Sequence, residues 1–179
     1  MLELVFRRRF AMAHRLLSEA SPKCAVPHGH TETVTVRLRA TRPAPLDGAA
    51  NMVEPFERAK GRWHRWIDDR VDHALQLSAA DPLLGWFRAQ EPHRLDRILV
   101  TPGDPTTELL CCLFAAKLGA FLAEDGGRLA VVALEIEETP TNTVGFAGDP
   151  LDWLPARAGW WRRADMSIND IVAPEAAAA

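Results

Sequence analysis

Between Thr31 and Ala40 the chain reads TETVTVRLRA, polar and apolar residues alternating almost without a break. A period of two marks a strand with one buried and one wetted face, the kind found in antiparallel sheets covered on one side. The fold must therefore build a sheet around this segment and pack something against its apolar face.

Upstream, residues 2 to 14 alternate more loosely, with Phe10, Met12 and His14 sharing one parity, which predicts a second strand. A loop containing Pro22, Cys24 and Pro27 joins the two. TRPAPLDGAANM reads as a turn-rich connection. From Phe56 to about Val71 the apolar residues Phe56, Ala59, Trp63, Trp66, Ile67 and Val71 recur at helical spacing. The stretch from Asp81 and Pro82 to Arg97 has no clear period, and RILVTPG then offers a short strand. DPTTELLCCLFAAKLGAFLAEDGG opens on a capping threonine with an acid behind it and closes on paired glycines, the clearest helix in the chain. RLAVVALEIEET predicts a strand, with NTVGFAG as its hairpin partner. Strand, strand, helix, helix, strand, strand is the element order of an α+β fold with helices on one sheet face.

At 179 residues the chain is long enough to bury a real core, and a single domain is the simplest division. Its formal charge of -3 argues against general attraction to nucleic acid or to an anionic membrane surface. No apolar run reaches the length of a membrane span, and the arginines of MLELVFRRRFAMAH follow the first apolar residues, unlike a signal peptide. A soluble cytoplasmic protein is expected. Cys111 and Cys112 sit in the apolar helix, so no disulfide framework is expected and Cys24 is free for chemistry. The last thirty or so residues hold Trp153, Trp160 and Trp161 and end in alanines. They are expected to pack on the surface or on a neighbouring subunit and then fray.

His28 and His30 are two apart at the start of the alternating strand, so both imidazoles leave one face and can meet one ion. If the first strand pairs with this one, His14 lies near enough to be a third ligand. Three neutral imidazoles leave a fourth zinc position open, as catalytic sites do, whereas a solvated or capping His pair is the plainer reading. Glu32 shares their parity, as a ligand, an orienter of a ligand or a solvent-facing acid. Cys24 reads as a thiolate base beside a cation or as a small buried hydrophobe. Asp72 and His73 read as a proton-shuttling pair or as a complement to the helix dipole.

Taken in order, FAMAH, KCAVPHGH, the alternating strand, MVEPF, VDH, PTTE and EET resemble the successive motifs of the 6-pyruvoyltetrahydropterin synthase and 6-carboxytetrahydropterin synthase family, over roughly residues 4 to 146. The resemblance implies the tunnelling fold (T-fold), a four-stranded antiparallel sheet with two helices on one face. It further implies a homo-oligomer, with trimers closing a β-barrel and two trimers stacking into a hexamer, which removes exposed sheet edges. It gives residues 1–147 as the pterin synthase domain and leaves 148–179 as a C-terminal extension.

Carried over residue by residue, the resemblance makes His14, His28 and His30 the ligands of a Zn2+ cofactor. Cys24 matches the catalytic cysteine, and Asp72 with His73 the family's Asp-His pair. Glu138 matches the glutamate that anchors the guanidine-like edge of the pterin, and Thr106 and Thr107 the segment lining the pocket. The implied substrate is a pterin triphosphate such as 7,8-dihydroneopterin triphosphate. The implied product is 6-carboxy-5,6,7,8-tetrahydropterin, with acetaldehyde and triphosphate released, on the way to 7-deazaguanines such as queuosine. A 6-pyruvoyltetrahydropterin synthase or a dihydroneopterin aldolase-like relative is the neighbouring reading; a zinc hydrolase or a non-catalytic pterin- or metal-binding protein is the more distant one. Arg7, Arg8, Arg9, Arg37 and Arg39 are candidates for a phosphate patch or for a solvated strand face. The chain departs from the family's pattern at Glu32, Pro55, Leu109 and ALQLS, all of them around the carried-over residues rather than among them.

Overall fold

A computed structural model describes residues 2–18, 21–42, 46 and 48–171. The alternating segment forms β2 (His28–Ala40), with Glu32, Val34, Val36 and Leu38 buried on one face. β1 (Leu4–His14) pairs with it antiparallel over its whole length, from Leu4 opposite Leu38 to His14 opposite His28. On the other side β2 pairs with β5 (Leu129–Thr139), which turns into β6 (Asn142–Phe146) as a hairpin. These four strands are the antiparallel unit that the patterning predicts.

The sheet nevertheless has six strands and is mixed, in the order β4-β3-β1-β2-β5-β6. β3 (Ala74–Ser78) adds parallel to the last residues of β1, and β4 (Ile98–Thr101) adds parallel to β3. The expectation of a four-stranded antiparallel sheet is thereby corrected. ALQLS is too short to show a period, and its burial pattern is almost continuous because β3 lies between neighbours and under a helix.

Two of the three α-helices among the described residues belong to the main core. α1 (Phe56–Trp66) buries Ala59, Trp63 and Trp66, and runs on into one wide π turn, Ile67–Val71, instead of continuing as a regular helix to Val71. α3 (Thr107–Glu124) is buried almost all round, which is why its sequence is apolar without an amphipathic period. Phe114 of α3 meets Phe10 of β1 and both α1 indoles at ring separations of 5.1 to 5.8 Å. The stretch read as irregular contains α2 (Pro82–Gln90), capped by Asp81 with a proline in its first turn, and then a 3-10 helix, Pro92–Arg97. Leu77, Leu84, Leu95 and Ile98 form the small second core of that corner.

The Trp-containing segment packs on its own chain. Trp160, Trp161, Leu154 and Ile168 belong to the main core, while Trp153 stays exposed. The outer edge of β4 is capped by this segment: Val100 N–H donates to the Ile168 carbonyl at 3.1 Å, and Trp160 Nε1–H donates to the Val100 carbonyl at 2.8 Å. Lys117 of α3 is fully buried beneath it, donating to the Trp160 carbonyl at 3.1 Å and to Asp165 at 3.2 Å, over the faces of Trp66, Phe121 and Trp160. The alanine-rich end, and part of the turn-rich connection after β2, lie outside the described residues. Among the described residues, no helix is long and apolar enough to cross a membrane.

Candidate active site

Register alone brings the three histidines together. His14 lies opposite His28 at the paired ends of β1 and β2, and His30 follows on the same face. Gly29 between them permits the close approach, because a Cβ there would come within 3.0 Å of the Met12 carbonyl oxygen. One ligand atom from each ring lies within 4.8 Å of the others.

The rings are oriented from behind. His14 Nδ1–H donates to the Pro105 carbonyl at 2.8 Å, and His28 Nδ1–H to the Val26 carbonyl at 2.9 Å. Carbonyls only accept, so both rings are held with a free Nε2 lone pair turned inward. The two Nε2 atoms stand 3.1 Å apart, an arrangement that needs a cation or proton between them. Zinc bound to nitrogen at about 2.1 Å requires N–N separations of roughly 3.4 Å, which lies between the 3.1 Å of the His14–His28 pair and the 4.8 Å limit of the group, so the three rings can close on one ion by side-chain adjustment. The pKa of His14 is lowered, first by burial and then by the His28 and His30 rings, against the opposing pull of the Pro105 carbonyl. That favours the neutral, ligating form.

The four residues before and at the start of α3 tie the site together. Asp104 accepts from the backbone of Leu17 and Ser18 just past His14, at 3.1 and 2.7 Å. Pro105 orients His14, and Thr106 caps the helix by accepting from Leu109 N–H. Thr107 donates its hydroxyl to Glu138 Oε1 at 2.6 Å, locking that carboxylate of β5 at the N-terminus of α3. Thr106, Thr107 and Glu138 are therefore brought to the histidine centre.

Glu32 is in the same cluster but does not join the histidines, since the ligand group consists of those three residues alone among the described ones. It is 2% exposed, and its Oε2 has no hydrogen-bond partner among the described residues. Burial, and then the Glu138 charge, pushes its pKa up to about 8. An unpaired buried oxygen of this kind costs on the order of 1–3 kcal/mol. Gln76, beside His14 in the β1–β3 register, is likewise buried with an unpartnered Oε1. Sequence reasoning missed Pro105, Val26 and Gln76: no local pattern announces a carbonyl contact between residues 14 and 105, or a strand as short as β3.

Cys24 is half-buried, and its carbonyl accepts from Leu16 N–H at 2.8 Å, which fastens its loop two residues beyond His14. It is a free thiol outside the ligand group. Asp72 and His73 stand apart from the centre within one chain. Asp72 Oδ1 accepts from Ala11 N–H at 2.7 Å, and its Oδ2 lies 2.9 Å from His73 Nδ1. Ala11 is three residues before His14, about 10 Å along the strand. Burial pushes the Asp72 carboxyl up, but the Ala11 amide and the His73 ring outweigh it, so the net shift is down. His73 is 77% exposed and adopts φ 63°, a left-handed conformation that costs energy for a non-glycine residue and is held by its N–H bond to the Ala11 carbonyl. Two of the candidate phosphate arginines are engaged elsewhere, Arg8 in a two-pronged pair with Asp68 and Arg37 with Glu3.

A model of the 6-pyruvoyl tetrahydropterin synthase family matches residues 3–149. Among curated proteins, the chain is 29% identical over 137 residues to a probable 6-carboxy-5,6,7,8-tetrahydropterin synthase of Halobacterium salinarum, covering 76% of this chain and 81% of that one. It is 25% identical over 140 residues to the 6-carboxy-5,6,7,8-tetrahydropterin synthase of Rickettsia bellii, covering 78% and 96%. Among solved structures, an uncharacterized protein from Wolinella succinogenes superimposes with a TM-score of 0.63 at 20% identity, covering 82% of this chain and 97% of that one. The 6-pyruvoyl tetrahydropterin synthase of Caenorhabditis elegans gives 0.55 at 23% identity, covering 82% and 95%. At such identities these structures speak for a shared fold.

Proposed function

Since the chain belongs to the 6-pyruvoyl tetrahydropterin synthase family, we propose that it is a zinc-dependent lyase that converts 7,8-dihydroneopterin triphosphate to 6-carboxy-5,6,7,8-tetrahydropterin, releasing acetaldehyde and triphosphate, for 7-deazaguanine synthesis. The names of the Halobacterium and Rickettsia relatives support the carboxy-forming branch. The observation that carries the reading is the join made by residues 104–107, which holds the orienting carbonyl of His14 and the Thr107 hydroxyl on Glu138 in one turn of chain. A metal centre and a carboxylate suited to a guanidine-like edge are thereby fixed relative to each other.

His14, His28 and His30 would hold the zinc. When bound, it supplies Lewis acidity to the side-chain oxygens of the substrate and acidifies the neighbouring C–H bonds. Glu138, steadied by Thr107, takes the ring N–H and amino N–H as a two-pronged acceptor and so sets which side-chain carbon faces the histidines. Cys24, anchored through Leu16, removes or returns protons at that carbon. His73 is the second proton carrier, with Asp72 fixing its ring. The exposure of this pair and its distance along β1 suit a homo-oligomer in which it faces the centre of a neighbouring copy.

The test is to incubate the zinc-loaded chain with 7,8-dihydroneopterin triphosphate and to identify the products by mass. Acetaldehyde with the 6-carboxy product is expected. A 6-pyruvoyl product would move the chain to the neighbouring branch, and no turnover with zinc bound would overturn the lyase reading.

A further inference from the structure

Glu32 is the acid that the family's pattern does not predict, and among the described residues nothing pairs with its Oε2. Its position is well defined. It follows His30 on the pocket face of β2, stands opposite Phe10 of β1, and is one step past the pairing of Thr33 with Glu137. The next residue of β5 beyond that pair is Glu138, at the point where the pairing of β5 with β6 shifts register, and its charge acts on the Glu32 carboxyl. Two acids side by side on one sheet face repel unless a donor lies between them.

We propose that Glu32 is a second carboxyl contact to the ring anchored by Glu138, accepting the outer N–H of the exocyclic 2-amino group, so that the pocket selects 2-aminopterins over their 2-oxo counterparts. The inference rests on the pterin reading above. A two-pronged bond to Glu138 uses the ring N–H and one hydrogen of the amino group, leaving its second hydrogen directed away from that bond. Glu138 has one oxygen engaged by Thr107, whereas Glu32 offers an unclaimed acceptor on the next strand. An amino group between the two carboxyls satisfies both and relieves their repulsion. A 2-oxo group in that place brings no hydrogen to Oε2, and sites built on such buried bonds reject the analogue that cannot make them.

The experiment titrates the zinc-loaded protein with pterin and with lumazine, its 2-oxo counterpart, following intrinsic fluorescence, for wild type, Glu32→Leu and Glu32→Gln. Wild type is expected to prefer pterin. Glu32→Leu should weaken pterin binding about ten- to a hundredfold, with little change for lumazine and no loss of thermal stability, since an apolar side chain replaces an unpaired oxygen. Glu32→Gln should narrow the preference from the other side, because its amide N–H can donate to the 2-oxo group and raise lumazine affinity. This second variant carries the test if Glu32→Leu does not fold. Unchanged affinities for both ligands in the variants, with wild type still binding pterin, would overturn the role of Glu32 alone. A wild type that binds neither ligand would overturn the pterin reading and this inference with it.

Discussion

Replacing Lys117 by Met should make the protein more stable at neutral pH and less so, relative to wild type, at alkaline pH. The ammonium of Lys117 is buried without exposure among three aromatic rings, and burial lowers its pKa from 10.5 to about 8 in spite of Asp165. A base whose folded pKa lies below its unfolded one destabilises the fold wherever both states are protonated, here below about pH 8. As pH rises from about 8 to 10.5 the folded state sheds its proton first and the cost is relieved. A shift of this size corresponds to about 3 kcal/mol, and attraction to the ring faces offsets on the order of 1 kcal/mol of it. Lys117→Met also forfeits the bond to the Trp160 carbonyl, on the order of 1 kcal/mol. The variant is thus expected to gain on the order of 1 kcal/mol at pH 7 and to lose that advantage by pH 10.5. Denaturant unfolding of both proteins at the two pH values, at one protein concentration, reads the difference and cancels the titration of other groups such as Cys111. A stability difference that is the same at both pH values, or that moves in favour of the variant as pH rises, would refute the reasoning.

Three further outcomes follow from the site and its surroundings. Thr107→Val removes the hydroxyl that holds Glu138, and pterin affinity measured by titration should fall about five- to twentyfold while zinc content stays at the wild-type level. Cys24→Ala should retain zinc by elemental analysis and lose most turnover, on the order of a hundredfold or more, in line with the removal of a positioned proton carrier. Truncation after Gly148 uncovers the edge of β4 and strips Trp160 and Trp161 from the core, so the shortened chain should be insoluble or unfold at a much lower denaturant concentration.

Strand alternation made β1 and β2 legible, and with them the meeting of His14, His28 and His30, because pairing at strand ends follows from a period of two and a single connecting loop. α3 was equally legible from its cap and its closing glycines. β3 was not, since five residues buried on both faces carry no periodic signal. α2 was hidden by its length of nine residues and by Gly85 in its interior. The Thr107 contact with Glu138 follows from the way α3 lies on β5, which no local pattern encodes. Glu32 was visible as an acid of the right parity, but parity leaves open whether it touches the ligands, pairs with Glu138 or faces water. Its burial and its unpartnered oxygen are properties of packing rather than of the strand.

Zinc K-edge absorption of the loaded protein, with and without pterin substrate, reads directly whether an open three-histidine metal centre stands beside a pterin-anchoring carboxylate. Three nitrogen ligands are expected, with a remaining oxygen position whose signal changes when the substrate is added. A fourth ligand from the protein, whether the thiolate of Cys24 or the carboxylate of Glu32, with no response to substrate, would contradict it.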